Sequence, residues 1–333
     1  MKYTCIDSFC GAGGLGLGLK NAGFDILLSF DIDPICINTI NTNKKYFDHS
    51  AEVADIADLL NGHLLKKCNL KRGELFLLAG GPPCQGFSIA GNIGRRFLED
   101  PRNRLFMEYY RFVEIIKPKM FVLENVAAMV SHNKGKTIKE IVNVFEKLGY
   151  KVQFKVLNAA EYSVPQERRR VFIVGVHETL KFEYPKPQKK IITIKEAIDD
   201  LPKLNSGETS NIDLHNAMKH SEQMLVKMSY VKDGGNREDM PENIRPKSGD
   251  ARKYIRYDSN KPSCCVTGDM RKIFHYSQNR ALTCRELARL QTFPDSYKIV
   301  GSSIQIQQQI GNAVPCKLAF AVAKECKRCL ENE

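Results

Sequence analysis

The sequence predicts an α/β protein: a doubly wound, Rossmann-like sheet joined to a smaller, mostly irregular and β-containing second domain. Three observations lead there. Short apolar runs alternate with amphipathic helical stretches through the first half of the chain. A glycine-rich loop, GAGGLG, directly follows the first of those runs. Around Glu178 the alternation stops, and polar segments punctuated by Pro, Lys and Gly follow, such as YPKPQKK, KDGGN and NIRPKSGD.

Each element has its own local cause. KYTCIDSF reads as a first strand, and GAGGLGLGLKNAG as a turn entering a helix that stops at Gly23. FDILLSFD is a second strand, after which Asp33 caps a helix with Pro34 at its first position. ELFLLAG is a buried strand. Asp100 and Pro101 open a further helix, apolar from Leu105 to Ile116, and KMFVLEN returns to strand. Ile138, Ile141, Val142, Phe145 and Leu148 mark one face of a helix ending at Gly149, and KVQFKVLNA and RVFIVGV are two more strands. The stretch SIQIQQQIGNAVPCKLAFAVAKECKRCL ends in an apolar-faced helix expected to pack back on the first domain. The expected boundaries are 1–185 plus 306–333 for the first domain, and 186–305 for the second domain with its hinge.

Composition narrows the classes. At 333 residues, 43% hydrophobic and 26% charged, the chain has enough apolar side chains for a large core, which excludes disorder. No apolar run approaches the ~18 residues of a membrane span. The N-terminus MKYTCIDSFCGAGG lacks a signal peptide's apolar core, so the expected compartment is the cytoplasm, with no membrane partner. Eleven cysteines without framework spacing read as free thiols. Cys326 and Cys329 have metal-like spacing, but a structural zinc needs four ligands and no second pair is present, so no metal is expected. The net charge of +12 suits a polyanionic partner. Its distribution points to the second domain: from Ile244 to Arg280 there are nine Lys or Arg against three Asp or Glu.

Gly11, Gly13 and Gly16 fit G-x-G-x-x-G after a strand, and Asp31 lies 20 residues beyond Gly11 at the end of the next strand. The pattern fits NAD and S-adenosylmethionine equally, since both carry an adenosine whose ribose an acid can bond. A glycine turn made only for packing fits as well. The loop alone does not decide. Three further stretches, GGPPCQGFS, LENV and PQERRRVF, fall at strand ends, which converge on one crevice in a doubly wound sheet. Separately, Cys84 fits a small buried filler, Glu124 a capping or paired carboxylate, and Arg168, Arg169 and Arg170 a solvated charge run. Together they put a thiol, a carboxyl and an arginine cluster at one place.

On the motifs DSFCGAGG, DID, ADI, GGPPCQGFS, ENV, QERRR, RALTCRELARLQTFPD and QIGNAVP, in that order, the chain resembles the DNA cytosine methyltransferases that modify carbon-5, of bacterial restriction-modification type. The resemblance covers nearly the whole sequence. It implies that Cys84 adds to carbon-6 of cytosine and makes carbon-5 enamine-like, able to attack the methylsulfonium of S-adenosylmethionine. Glu124 would serve ring nitrogen 3 with a proton or hydrogen bond. Arg170 would contact the 2-oxo oxygen, and Arg168 the nearby phosphates or Glu124. The base must be flipped out of the duplex, and Gln85 and Ser88 are candidates to fill the gap or touch the backbone. For the cofactor, the resemblance puts Phe9 on the adenine, Asp31 on the ribose and Asp55 and Ile56 at the adenine edge. Gly11, Gly13, Pro83, Leu105 and Asn312 would line the remainder. Residues 186 to 280 sit where the family keeps its variable target-recognition domain, with Arg252, Lys253, Arg271 and Lys272 as DNA-binding candidates. The implied partners are double-stranded DNA and a restriction endonuclease acting on the same site without a stable complex, and the protein would be a monomer.

Three rivals are weaker. The tRNA branch of this catalytic core typically carries a Cys-Phe-Thr tripeptide in its recognition region, and none is present. An inactive DNA-binding relative would have lost Cys84, Glu124 or the glycine loop, and all are intact. An NAD dehydrogenase leaves GGPPCQGFS, LENV and QERRR without a task.

Overall fold

Apolar, β-branched runs flanked by glycine turns become seven strands of one sheet: β1 (Thr4–Ser8), β2 (Asp25–Asp31), β3 (Glu52–Val53), β4 (Leu77–Gly80), β5 (Met120–Val126), β6 (Tyr150–Asn158) and β7 (Arg169–His177). The structure, a computed structural model, describes residues 2–59, 64–83, 103–247 and 253–332. Strand order is β3-β2-β1-β4-β5-β7-β6. The neighbours from β3 through β5 pair in parallel, whereas β7 runs antiparallel to both β5 and β6. The alternation of strands and helices forecast the doubly wound sheet, but not the short β3 or the reversal of β7.

The helices in this part of the chain are α1 (Gly14–Asn21), α2 (Pro34–Thr42), α3 (Ile56–Leu59), α4 (Leu64–Lys67), α5 (Arg104–Ile116), α6 (Ala128–Ser131) and α7 (Lys136–Glu146). Asp33 caps α2 as expected, its side chain accepting from the Ile35 N–H with Pro34 in the first turn. Gly23 has φ 86 just beyond α1, a left-handed conformation that suits glycine. The expected helix start at Asp100 and Pro101 lies outside the described residues. The core is aromatic: Phe106, Tyr109, Phe112, Phe121 and Phe145 are fully buried, with the Phe121 and Phe145 ring centroids 4.4 Å apart. Tyr109 is buried without a polar penalty because its hydroxyl reaches the carbonyls of Leu78 (3.2 Å) and Val122 (3.1 Å).

The chain divides into two compact units. The first comprises residues 1–158, 169–186 and 319–333, the second 159–168 and 187–318. The first boundary falls one residue from the expected 185/186. The return differs more: residues 306–318 belong to the second unit, as does the short excursion 159–168. The second unit holds α8 (Ile194–Ile198), α9 (Glu222–Tyr230), α10 (Cys284–Leu290) and α11 (Ser303–Asn312), plus one parallel pair of two-residue strands, β8 (Ile255–Arg256) and β9 (Ile273–Phe274). Residues 306–318 stay with it because the buried Gln291 side chain donates to the carbonyls of Ile310 (2.6 Å) and Ala313 (3.2 Å). The last helix, α12 (Cys316–Glu331), begins in the second unit and runs on into the first. Among the described residues no helix is long and apolar enough to cross a membrane, and no group of three or more His, Cys, Asp or Glu could hold a metal ion.

Within the first unit, α1 and α12 meet at Gly18, where an added Cβ would lie 2.4 Å from the Ala319 Cβ and 2.5 Å from the Phe320 amide nitrogen. In a free helix, Gly→Ala gains about 1 kcal/mol. At this crossing Gly18→Ala is expected to cost about 1–3 kcal/mol through overpacking, read as a lower urea midpoint. An unchanged or higher midpoint would show that the two helices can separate without loss.

Candidate active site

The sheet topology decides which residues can meet. Strands β1, β2, β4 and β5 are parallel, so their C-terminal ends share one edge, and antiparallel β7 begins at that edge. Strand β1 lies between β2 and β4, so its connections diverge there and leave a crevice at the strand ends. The loop after Ser8, Asp31, residues 80–83, Glu124 and Arg170 all lie along it.

After β1 the backbone is left-handed at Phe9 (φ 54), Gly11 (φ 51) and Gly13 (φ 83). Two of these positions take glycine without strain, while Phe9 adopts a conformation uncommon for a non-glycine residue. The loop is pinned by the Cys10 N–H on the Phe30 carbonyl (3.1 Å) and the Gly11 N–H on Asp31 Oδ2 (2.9 Å). Asp31 Oδ1 accepts from the Asp33 N–H at 3.0 Å, so this carboxylate organises the ends of β1 and β2 together. Gly13 precedes α1 with no side-chain cap, and an added Cβ at Gly11 would touch nothing within 4 Å. Open backbone at an uncapped helix start, with an acid one strand away, fits an adenosine-bearing cofactor.

The other expected cofactor residues are disposed unequally. Phe9 is half-buried, its ring centroid 6.3 Å from that of Phe30. Asp55 Oδ1 accepts from the Ala57 N–H at 2.9 Å, and its Oδ2 lies 3.3 Å from Arg104. The Ile56 side chain is buried in the core, which leaves its main chain as the part open to a ligand. Leu105 packs against the same core from α5, and Pro83 is exposed. Asn312, the exposed last residue of α11, belongs to the second unit.

One residue of this region was not anticipated. Asp7 is fully buried on β1, with the Gly16 amide as the polar group set against its burial. Burial, followed by the Asp31 charge, pushes its carboxyl up to about 8, against the opposing pull of the Gly16 amide. The available signal was an acid inside an apolar strand immediately before a glycine loop.

The next part of the edge joins β4, β5 and β7. Arg170 Nε lies 3.1 Å from Glu124 Oε1, with both side chains largely buried, and Arg170 Nη1 donates to the Arg169 carbonyl at 2.9 Å. An added Cβ at Gly81 would come within 3.1 Å of Glu124 Oε2, so the glycine lets the loop after β4 lie against this carboxylate. Asn125 Nδ2 holds the same loop by donating to the Pro82 carbonyl at 2.9 Å. Asn125 is thus a positioning residue that the ENV motif contained but the sequence reading left without a role. Cys84, Gln85, Ser88 and Arg252 lie outside the described residues.

Arg168 does not take the role expected of it. It is buried in the second unit, where Nη1 donates to the Val266 carbonyl (2.8 Å) and Nη2 to those of Gly311 (2.8 Å) and Ala313 (3.1 Å), with Cys265 Sγ 3.3 Å from Nη1. Four of its five donors are thereby directed into the protein, a poor arrangement for a phosphate or for Glu124. Gln166 acts alongside it, donating to the Leu290 carbonyl (3.1 Å) and accepting from the Val266 N–H (2.9 Å). The QERRR run therefore contains two internal clamps, Gln166 and Arg168, and an arginine at the sheet edge, Arg170, that pairs with Glu124.

The recognition candidates also separate. Lys253 and Arg271 share one carboxylate, Asp269, at 3.1 and 2.8 Å, and the Arg271 guanidinium holds that carboxyl well below its ordinary range. Lys272 has no carboxylate partner among the described residues and lies 5.0 Å from the Tyr254 ring centroid.

Two tests follow from these environments. Arg168→Ala takes the guanidinium away from the buried carbonyls of Val266, Gly311 and Ala313, of which Ala313 keeps only the Gln291 donor, and is expected to cost about 3 kcal/mol or more in urea unfolding; an unchanged midpoint would refute the clamp. Asp7 keeps its proton in the folded chain to about pH 8 but loses it near 3.8 when unfolded, so its contribution to stability falls as pH rises between those values. Asp7→Asn removes this titration. The melting temperature of the variant relative to the native chain should therefore climb from about pH 4 to about pH 8 and then level off. A difference independent of pH would show that Asp7 is ionised throughout.

The family described as C-5 cytosine-specific DNA methylase matches residues 3–328. Type II methyltransferase M1.HphI of Haemophilus parahaemolyticus is 52% identical over 334 residues, covering 100% of this chain and 89% of that protein. Type II methyltransferase M.PspPI of a Psychrobacter species is 36% identical over 349 residues, covering 99% and 80%. Among solved structures, a chain described as a prophage-encoded DNA modification methyltransferase (E. coli) superposes with a TM-score of 0.80 at 26% identity, with full coverage of both chains. The methyltransferase EhMeth of Entamoeba histolytica, at 18% identity, 99% coverage of each chain and a TM-score of 0.71, shares the fold. The family match runs through both units without interruption, and the chain belongs to the C-5 cytosine-specific DNA methylases.

Proposed function

We propose that the protein methylates carbon-5 of cytosine within a specific double-stranded DNA sequence, as the modification enzyme of a Type II restriction-modification pair. The observation that carries this reading is the Glu124–Arg170 pair against Gly81 and Pro82, the segment that leads directly to Cys84. The names of the relatives at 52% and 36% identity support the Type II assignment.

In this reading S-adenosylmethionine is held by the glycine loop with Phe9 and Asp31, by Asp55 and the main chain of Ile56, and by Pro83 and Leu105. When bound it supplies an electrophilic methyl group. The Cys84 thiolate forms a bond to carbon-6 of a flipped-out cytosine, pushing electron density toward carbon-5 and ring nitrogen 3. Glu124 meets nitrogen 3, relieving that charge with a proton or hydrogen bond. Arg170 fixes the Glu124 carboxyl through Nε, is held by Nη1 on the Arg169 carbonyl, and uses Nη2 for the 2-oxo oxygen. Once carbon-5 carries the methyl group, loss of its proton and expulsion of the Cys84 thiolate restore the ring. Gln85 and Ser88 support the emptied position in the duplex. We assign the chemistry to the first unit and sequence choice to the second. The enzyme acts as a cytoplasmic monomer, and its endonuclease counterpart cuts the same site without a stable complex.

A duplex carrying 5-fluorocytosine at the methylated position should trap a denaturant-stable adduct, because fluorine cannot leave as a proton. Cys84→Ser should abolish that adduct, and its persistence would assign the nucleophile to another thiol. Glu124→Gln should bind S-adenosylmethionine normally but lose about 10²–10⁴-fold in turnover, the range for general acid–base assistance. Near-normal turnover would remove Glu124 from the mechanism. Bisulfite sequencing of plasmid treated with protein and S-adenosylmethionine reads the methylated base and site together.

A further inference from the structure

The basic stretch from Ile244 to Arg280 holds fewer free cations than its composition suggests. Arg256 is buried, its guanidinium donating to the carbonyls of Val231, Met228, His275 and Gln278. Arg280 is buried on Glu286, Arg245 pairs with Glu238, Lys261 with Asp258, and Lys253 and Arg271 with Asp269. Lys247 and Lys272 differ from these. Lys272 is exposed and has no carboxylate partner among the described residues.

A second lysine from elsewhere in the sequence joins it. Lys227, on α9, places its ammonium 5.8 Å from the Tyr254 ring centroid, and Lys272 places its own 5.0 Å from the same centroid. Both fall within cation–π range, and Lys227 likewise has no carboxylate partner among the described residues. The ring they share is held on three counts. Tyr254 takes φ 60, a left-handed conformation uncommon for an aromatic residue, and its N–H donates to the Lys272 carbonyl at 2.7 Å. The ring lies 6.4 Å from that of Phe274 and packs on the buried cluster of Met228, Val231, Met240 and Phe274. One turn face of α9 adds Tyr230, which is 45% exposed.

We infer that Lys227, Tyr254 and Lys272 form a contact for the sugar–phosphate backbone of the DNA duplex, the two ammonium groups engaging phosphate and the ring flanking the sugar. The inference rests on the DNA-methylating reading above. Its chemistry favours backbone over base edges. An ammonium is a compact point charge that suits phosphate, whereas base discrimination uses the planar, bidentate groups of Arg, Asn and Gln. Two like charges held at one ring repel each other, and an anion close to both offsets that repulsion. Holding them on a fixed ring rather than on free side chains also fixes where that anion sits, which is how phosphate contacts set register.

The test measures affinity for a duplex containing the methylated sequence and for a scrambled duplex between about 50 and 200 mM salt. Lys227→Ala and Lys272→Ala should each make the log K against log salt slope shallower by about 0.9, on both duplexes alike. Lys272→Arg should restore the slope, and Tyr254→Phe should keep it, since the ring remains. The methylated sequence and S-adenosylmethionine affinity should not change in any of these variants. Unaltered slopes in both alanine variants, at unaltered melting temperature, would overturn the inference. So would an effect confined to the methylated duplex with relaxed sequence choice, which indicates base reading, or an effect seen on structured RNA but not on duplex DNA. A native protein that neither binds duplex nor methylates it has a different signature, and it overturns the DNA reading together with this contact.

Discussion

The ion pair between Glu124 and Arg170 is the contact on which the arrangement of the sheet edge turns, and it exists because one strand runs backwards. Arg170 opens β7, and β7 is antiparallel to β5. Had β7 been parallel, its first residues would lie at the opposite edge, roughly a strand length away at ~3.3 Å per residue. Reversal returns a cation to the edge where the parallel strands end, beside a carboxylate that β5 delivers there. Gly81 and Asn125 complete the arrangement, one by having no side chain to displace the carboxylate, the other by holding the Pro82 carbonyl. The loop that carries Cys84 thus departs from a fixed point.

The glycine loop shows the same economy with a different device. Asp31 bonds the backbone of the loop it faces and of the turn that follows it, so the ends of β1 and β2 are set by one carboxylate. Asp7 lies on the other side of the electrostatic balance. It is buried near Asp31, whose charge adds to the cost of ionising it.

In the second unit, arginines act as internal cross-links more than as surface charge. Arg168, Arg280 and Arg285 are all almost completely buried. Arg280 makes a two-pronged pair with Glu286, while Arg285 donates to the carbonyls of Asp213, Pro294 and Tyr297. A unit with two-residue strands has little regular hydrogen bonding, and buried guanidiniums satisfy the carbonyls that irregular loops would otherwise leave unpaired. Breaking such a cross-link is costly because it strands partners away from water. The RALTCRELARLQTFPD stretch is accordingly a structural hub, with the Thr283–Glu286 capping box at its centre.

Much of this was written locally in the sequence. The strands β1, β2, β4 and β5, the Asp33–Pro34 helix start and the glycine stop at Gly23 follow from residue type and spacing, because apolar period, capping and φ preference act over a few residues; the strand-end motifs raised Cys84, Glu124 and the arginine run, and the family resemblance singled out Arg170. The sequence by itself also determined that the chain changes character after the last long strand. What it could not determine was direction, partner and burial. Nothing local distinguishes a strand that runs with β5 from one that runs against it, and nothing in QERRR says that Arg168 turns inward while Arg170 reaches Glu124. The count of nine cations to three acids gave no hint that Arg256 and Arg280 are buried or that Asp269 holds two of the others. Those outcomes belong to the tertiary structure, since a charge is consumed or left free according to what long-range folding places beside it.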